Sequence, residues 1–415
     1  MPIYESVDRI PERGNQARAA PASEEPVMTA CIVGWSHTPF GKHEALDVES
    51  LIVKVAKDAV ADAGLGPDDI DEIVLGHYGG GFSAQGFTSS LVLQADDVWR
   101  FKPATRVENA CATGSAAVHQ GLKSIAARRA RFVLVVGVEK MTDLPGPEIA
   151  KALLSAAYLK EESEIEGGFA GVFGQIAQRY FQRHGDQSDA LATIAAKNHK
   201  NGCANPLAQM RKDLGFEFCR QVSEKNPLVA GPLKRTDCSL VSDGAAALVL
   251  TDVETALGMR KAVVFRAAVH INDFLPMSRR DVTLFEGCEE AWRRARDKAG
   301  VALDDLDFVE THDCFTIAEL IEYEAMGLTP RGQGARAALE GWTAKDGRLP
   351  VNPSGGLKAK GHPIGATGVS MHVLSAMQLT GTAGDMQIAD ARLGGLFNMG
   401  GAAVANYVSI LEPLR

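Results

Sequence analysis

The sequence predicts an α/β fold of stacked helices and sheet, made of two βαβαβ halves with a segment inserted between them. Three observations carry this. Strand-like and helix-like runs alternate from Ala30 to Val138, and again from Ala262 to Leu411. Phe132-Val133-Leu134-Val135-Val136 is continuously apolar, as in a strand buried on both faces of a mainly parallel sheet. Residues 141–240 break the alternation and carry helical periodicity with few strand signals. The chain therefore divides into an arm (1–28), a first half (29–140 and 241–260), an inserted loop or lid segment (141–240) and a second half (261–415).

The arm holds Pro2, Pro11, Pro21 and Pro26 without apolar periodicity, so a disordered or surface-lying segment is expected. Ala30 to Gly34 reads as a strand, and Val48 to Ala63 as an amphipathic helix stopped by Gly64-Leu65-Gly66-Pro67. Ile70 to Leu75 and Thr105 to Glu108 read as strands, Thr88 to Leu93 as helix, and Cys111 to Arg129 as a helix of small residues. Arg131 to Val138 closes the first set. Two helices are expected near 172–184 and 188–201. Ala245 to Leu250 and Ala262 to His270 then read as strands, Phe285 to Ala299 as a helix ended by Gly300, Phe308 to Thr311 as a strand, and Ile317 to Met326 as a helix. A second small-residue helix is expected from Gly365 to Leu379. Met386 to Leu393 and Ala402 to Leu411 are expected as the closing strands.

The 415 residues are 46% hydrophobic and 23% charged with a net charge of −9, so nothing global points to nucleic acid or an anionic membrane. No apolar run approaches the ~18 residues of a spanning helix. The seven cysteines show no Cys-x-x-Cys and no zinc spacing, so reduced thiols in the cytoplasm and no metal are expected. Between 195 and 235, eight Lys/Arg face Asp213, Glu217 and Glu224. Such a patch suits a nucleotide phosphate group or is simply a solvated face.

Chemistry collects at four strand-to-helix turns. The first is Asn109-Ala110-Cys111-Ala112-Thr113-Gly114, where a lone cysteine stands at a helix N-terminus. Free backbone N–H groups and the helix dipole favour a thiolate there. A cysteine alone in such a helix is ordinarily a packed core residue; the other turns tip the balance. They are His312-Asp313-Cys314-Phe315, the glycine-rich Asn352 to Gly368 with His362 between Gly361 and Pro363, and Gly394 to Ala402. In an α/β sheet such turns converge at the carboxyl ends of the strands.

These four elements, with Ser242-Asp243-Gly244-Ala245-Ala246, resemble the thiolase family from about Thr29 to the C-terminus. The resemblance implies the thiolase fold, with duplicated halves in an α-β-α-β-α layering. It also implies an acyl-CoA C-acyltransferase that cleaves 3-ketoacyl-CoA or condenses two acyl-CoAs. Most thiolases carry a second cysteine in a Cys-x-Gly element, where this chain has Asn398-Met399-Gly400. Together with His312-Asp313-Cys314-Phe315, this is similar to the sterol-carrier-protein-type subgroup. By resemblance, Cys111 is the nucleophile, His362 takes its proton, and Cys314 is the second acid/base. One oxyanion hole then uses His362 and a donor near His312, the other the N–H groups of Cys111 and Gly400. Ser239 matches a family serine near the pantetheine arm, or is an ordinary polar residue before a turn. Ser354 and Gly355 are further candidates along that arm. The resemblance implies no permanently bound cofactor, coenzyme A as co-substrate, and a homodimer or homotetramer. Two rivals stay open: another Claisen enzyme of the same fold, of ketosynthase or hydroxymethylglutaryl-CoA synthase type, and a non-catalytic CoA-ester binding subunit.

Overall fold

The computed structural model describes residues 30–414; the arm expected at 1–28 lies outside them. The first half holds β1 (Ala30–His37), α1 (Val48–Asp62), β2 (Glu72–Gly76), β3 (Ala104–Val107), α2 (Thr113–Ala126) and β4 (Phe132–Glu139). Five helices follow: α3 (Gly146–Leu154), α4 (Leu159–Glu162), α5 (Gly168–His184), α6 (Ser188–Cys203) and α7 (Gly215–Arg220). A small ribbon, β5 (Leu228–Ala230) with β6 (Leu233–Lys234), ends that segment. β7 (Gly244–Asp252) returns to the first half, and α8 (Val253–Ala256) leads out of it. The second half holds β8 (Val263–Asn272), α9 (Glu286–Ala299), β9 (Phe308–Glu310), α10 (Thr316–Ala325), α11 (Gly334–Leu339), α12 (Gly356–Lys360), α13 (Ile364–Leu379), β10 (Gly394–Gly400) and β11 (Ala405–Pro413).

The duplication is plain in the strand pairing. Nine strands run in the order β3-β2-β4-β7-β1-β8-β11-β10-β9. In the first half β2 is parallel to β3 and β4, while β7 is antiparallel to β4 and β1. In the second half β9 is parallel to β10, and β11 is antiparallel to β10 and β8. The position equivalent to β3 shrinks to one parallel bridge, Val309 to Val351. Order and sense are therefore the same in both halves. They join through only two residue pairs, Cys31 with Val264 and Ile32 with Val263.

Alternation along each strand sets the layers. Val133 and Val135 of β4 and Leu248 of β7 pack with Val118 and Leu122 of α2 and Val369 and Val373 of α13. Leu396, Phe265 and Leu411 of the second half enter the same core. The opposite face of the first half, with Leu134, Val136 and Val249, is covered by Leu51, Ile52 and Val55 of α1. The opposite face of the second half, with Phe397, Met399 and Val408, is covered by α9 and α10 and by Phe173 and Ile176 of α5. The layering is thus α-β-α-β-α. The two central helices meet at glycines: a Cβ on Gly114 would lie 2.7 Å from Gly368 N, and one on Gly368 only 2.1 Å from Ser115 N.

Three expectations need correction. The strand expected at Met386–Leu393 is β10 at Gly394–Gly400, the stretch read as a turn. Its first two glycines serve ring packing, since a Cβ on Gly394 would sit 2.4 Å from the Phe308 ring and one on Gly395 2.8 Å from Trp292. The helix expected from Cys111 begins at Thr113, so the cysteine precedes it. Thr88 to Ala95 is 3₁₀ rather than α-helical. The basic run at 195–235 is partly spent internally: Lys197 pairs with Glu319, Lys234 with Asp237 and Arg220 with Asp189.

Candidate active site

The loop between β3 and α2 is strained at Ala110, which has φ +49°. Thr113 closes it: Asn109 N–H donates to Thr113 Oγ1 (2.8 Å), and that hydroxyl donates to the Ala110 carbonyl (2.6 Å). Asn109 Nδ2 also donates to Tyr407 Oη at 2.9 Å. The turn delivers Cys111 into an apolar pocket with Tyr78, Phe82, Met141 and Ile364, where it is 5% exposed. Burial pushes its thiol up to about 12; the Gly401 N–H offsets this in part, and the Glu139 and Glu108 charges add to it. The thiolate expected from the helix dipole is therefore not the resting form.

His362 enters from the start of α13. Its backbone N–H donates to Ser242 Oγ (3.0 Å). Its Nδ1 lies 2.7 Å from Thr367 Oγ1, and that hydroxyl already donates to the Pro363 carbonyl (3.0 Å). Thr367 Oγ1 must then accept, so Nδ1 carries the imidazole proton and Nε2 presents a lone pair. Burial and then Lys360 lower the pKa of His362 to about 3, so it rests neutral. Its Nε2 is buried without a partner.

His312 arrives on the turn after β9 and is fully buried, with Nδ1 2.8 Å from Asn398 Nδ2 and Nε2 again unpartnered. Burial, then His362 and Lys360, hold it well below the usual imidazole range. One ligand atom each from Cys111, His312 and His362 lies within 4.8 Å of the others, and the two rings meet edge-on at 5.1 Å. A metal held there would need an ionised Cys111, which burial opposes.

Cys314 is outside this closest trio. It is 4% exposed, and burial first, then the Cys111 charge, hold its thiol far above the ordinary value. Ser239 N–H donates to the Cys314 carbonyl at 2.9 Å, and Cys238 bridges Phe315, so Ser239 lies across from Cys314. Gly400 backs directly on the nucleophile loop, where a Cβ would stand 2.4 Å from the Asn109 carbonyl. The backbone N–H of Gly401, the next residue, lies at the Cys111 sulfur. Ser354 and Gly355 are both buried. Ser354 donates to both Glu310 oxygens (3.0 and 2.7 Å), and a Cβ on Gly355 would sit 2.6 Å from Gly202 Cα of α6.

Sequence reasoning assigned no role to Asn398, Thr367 or Glu139. Glu139 accepts from Tyr78 N, Gly79 N and Gly365 N at 3.0–3.1 Å, tying the β2 loop to the start of α13. The available signal was a glutamate ending a strand otherwise apolar on both faces. Asp243 plays a similar part, accepting from His43 N, Met141 N, Thr142 N and Lys140 Nζ. Beside the nucleophile loop lies a cavity of about 600 Å³ that Tyr78, Arg106, Ala110, Gly401 and Leu275 help to line.

A duplicated α/β sandwich that brings a cysteine and two histidines to one buried point defines a protein of the thiolase fold. The chain matches the thiolase N-terminal domain over residues 30–218 and the thiolase C-terminal domain-like model over 270–413. It is 36% identical to an acetyl-CoA acetyltransferase of Methanothermobacter thermautotrophicus, over 92% of this chain and 98% of that protein. It is 32% identical to sterol carrier protein 2 of Oryctolagus cuniculus, over 94% of this chain and 73% of that one. Among solved structures, the Ltp2-ChsH2(DUF35) aldolase superposes with a TM-score of 0.80 at 22% identity, over 94% of this chain and 98% of that one. The chain belongs to the thiolase family and is an acyltransferase of thiolase type.

Proposed function

We propose that this enzyme cleaves a 3-ketoacyl-CoA with CoA, or condenses two acyl-CoAs, by a ping-pong reaction through an acyl-Cys111 intermediate. The carrying observation is the meeting of Cys111, His362 and His312 at one buried point, with both Nε2 atoms left without a partner. His362 Nε2 has the free lone pair that takes the Cys111 proton as the sulfur attacks the thioester carbon, and it returns that proton to the CoA sulfur as the original C–S bond breaks. A neutral pair suits this step, because no buried charge exists before substrate arrives. The oxyanion formed is stabilised, in this reading, by the N–H groups of Cys111 and Gly400. In the second step Cys314 moves the proton at the carbon beside the thioester carbonyl. The oxyanion of that step lies against His312, with His362 beside it as a donor only while its Nε2 holds a proton.

Coenzyme A is the co-substrate in this reading, and Ser239 lies where its pantetheine arm reaches Cys314. Arg211, Lys212, Lys225 and Arg235 are exposed on the inserted segment with Val222, Leu228 and Val229, which suits a nucleotide phosphate and base. The cavity beside Ala110 and Gly401 has room for the acyl group. The compartment in this reading is the cytoplasm, as expected from the cysteine spacing of the sequence. No helix among the described residues is long and apolar enough to cross a membrane. Resemblance to the family supports a homodimer or homotetramer in this reading.

The discriminating experiment is Cys314→Ala assayed with acetyl-CoA and with acetoacetyl-CoA. Acylation of Cys111 survives, while CoA-dependent cleavage falls at least ~10²-fold, in the range of a lost general acid/base. Full cleavage by that variant would remove Cys314 from the mechanism, and a wild-type enzyme that acylates Cys111 but never cleaves would favour a Claisen enzyme of ketosynthase type.

A further inference from the structure

Asn398 stands where most thiolases carry their second cysteine, and it touches three groups. Its Nδ2 lies 3.3 Å from the Cys111 carbonyl and 2.8 Å from His312 Nδ1, and its Oδ1 accepts from Ser115 Oγ at 2.7 Å. The Cys111 carbonyl can only accept, so the amide atom facing it is the NH₂. The Ser115 contact agrees, leaving Oδ1 as the acceptor. With the amide oriented this way, its second N–H points at His312 Nδ1, which must also accept. The ring proton of His312 is then on Nε2, the fully buried nitrogen without a partner that faces the site.

We infer that Asn398, anchored by Ser115, is a positioning residue that locks His312 as an Nε2–H donor aimed at the substrate oxygen. The two histidines thereby carry opposite tautomers: His362 offers a lone pair at Nε2 and His312 offers a proton. One can act as base while the other donates a hydrogen bond, although the residues are chemically identical. Losing the second cysteine is in this light an exchange of a reactive side chain for an orienting one. Gly368 makes room for the clamp, since a Cβ there would stand 2.5 Å from Asn398 Oδ1 and 2.6 Å from Ser115 Oγ. This inference rests on the proposed thiolase reaction for the identity of the oxygen, but the tautomer itself does not.

The test uses wild-type protein labelled with ¹⁵N-histidine, with the His312 resonances assigned by their loss in His312→Gln. Nitrogen NMR is expected to show a protonated Nε2 and an unprotonated Nδ1 at neutral pH. The reverse pattern overturns the inference without reference to activity. Asn398→Leu then removes the clamp at similar volume. Mixed tautomers and a ~10²-fold loss of kcat for cleavage are expected, with KM for acetoacetyl-CoA within about two-fold. Acetyl-Cys111 still forms in that variant, since its oxyanion uses other donors. An Asn398→Leu enzyme with wild-type kcat and an unchanged His312 spectrum overturns the inference. A wild-type enzyme that never forms acetyl-Cys111 instead defeats the proposed function, and the tautomer assignment stands apart from it.

Discussion

At the residue scale the decisive balance is between a helix dipole and desolvation. Placement near a helix N-terminus is worth ~0.3–1 kcal/mol to an anion. Burying an uncompensated charge costs several kcal/mol. Cys111 is 5% exposed, so desolvation wins and the thiol rises to about 12 while His362 falls to about 3. Alkylation of Cys111 by iodoacetamide is therefore expected to keep rising with pH through at least 10, without a plateau after the ordinary ~8.5. A plateau reached by pH 7, or a thiolate absorbance at 240 nm that Cys111→Ala abolishes, would establish an ion pair instead. That Cys111 and His362 belong to one site was legible only through the resemblance carried by Asn109 to Gly114 and Gly361 to Gly368. Their protonation was not, because burial is a property of the whole fold.

At the element scale the site is held by close approach of backbones. Cys111 and His362 come from opposite halves and meet because α2 and α13 cross at Gly114 and Gly368. Gly368→Ala places its methyl 2.1 Å from Ser115 N, which only a shift of one helix relieves. Overpacking of this kind costs ~1–3 kcal/mol or more. A lowered denaturant midpoint is expected, with activity lost before unfolding; a variant with wild-type stability and turnover would show that the helices have slack. The two small-residue helices were legible as such. β10 was not, because glycine reads as a turn unless the Phe308 and Trp292 rings it accommodates are known. The packing partners of Ser354 and Gly355, Glu310 and Gly202, were not legible for the same reason: they are distant in sequence.

At the scale of the molecule the βαβαβ duplication was legible from alternation alone, down to the return of β7 after the inserted segment. The narrow β1–β8 seam was not, since two residue pairs leave no periodic trace. The burial of the core also sets the acid stability. Seven of the ten histidines (His37, His119, His199, His270, His312, His362 and His372) are held below the ordinary imidazole value, chiefly by burial. Below ~6.5 the unfolded chain binds protons that the fold refuses, so stability falls as pH falls. Each such group contributes up to ~1.4 kcal/mol per pH unit in that window. Burial and neighbouring Glu319 raise the Asp313 carboxyl, which works in the opposite direction above ~4. A calorimetric Tm that drops steeply from pH 7 to 5 is expected, and a flat profile would mean that these histidines are solvated.

The most direct measurement is peptide mass spectrometry after brief incubation with acetyl-CoA. One acetyl group is expected on the peptide containing Cys111, removed on adding CoA, and formed at least ~10²-fold more slowly in His362→Asn. Cleavage activity with no acetyl group on Cys111, or one that CoA cannot remove, would contradict the central role given to that sulfur.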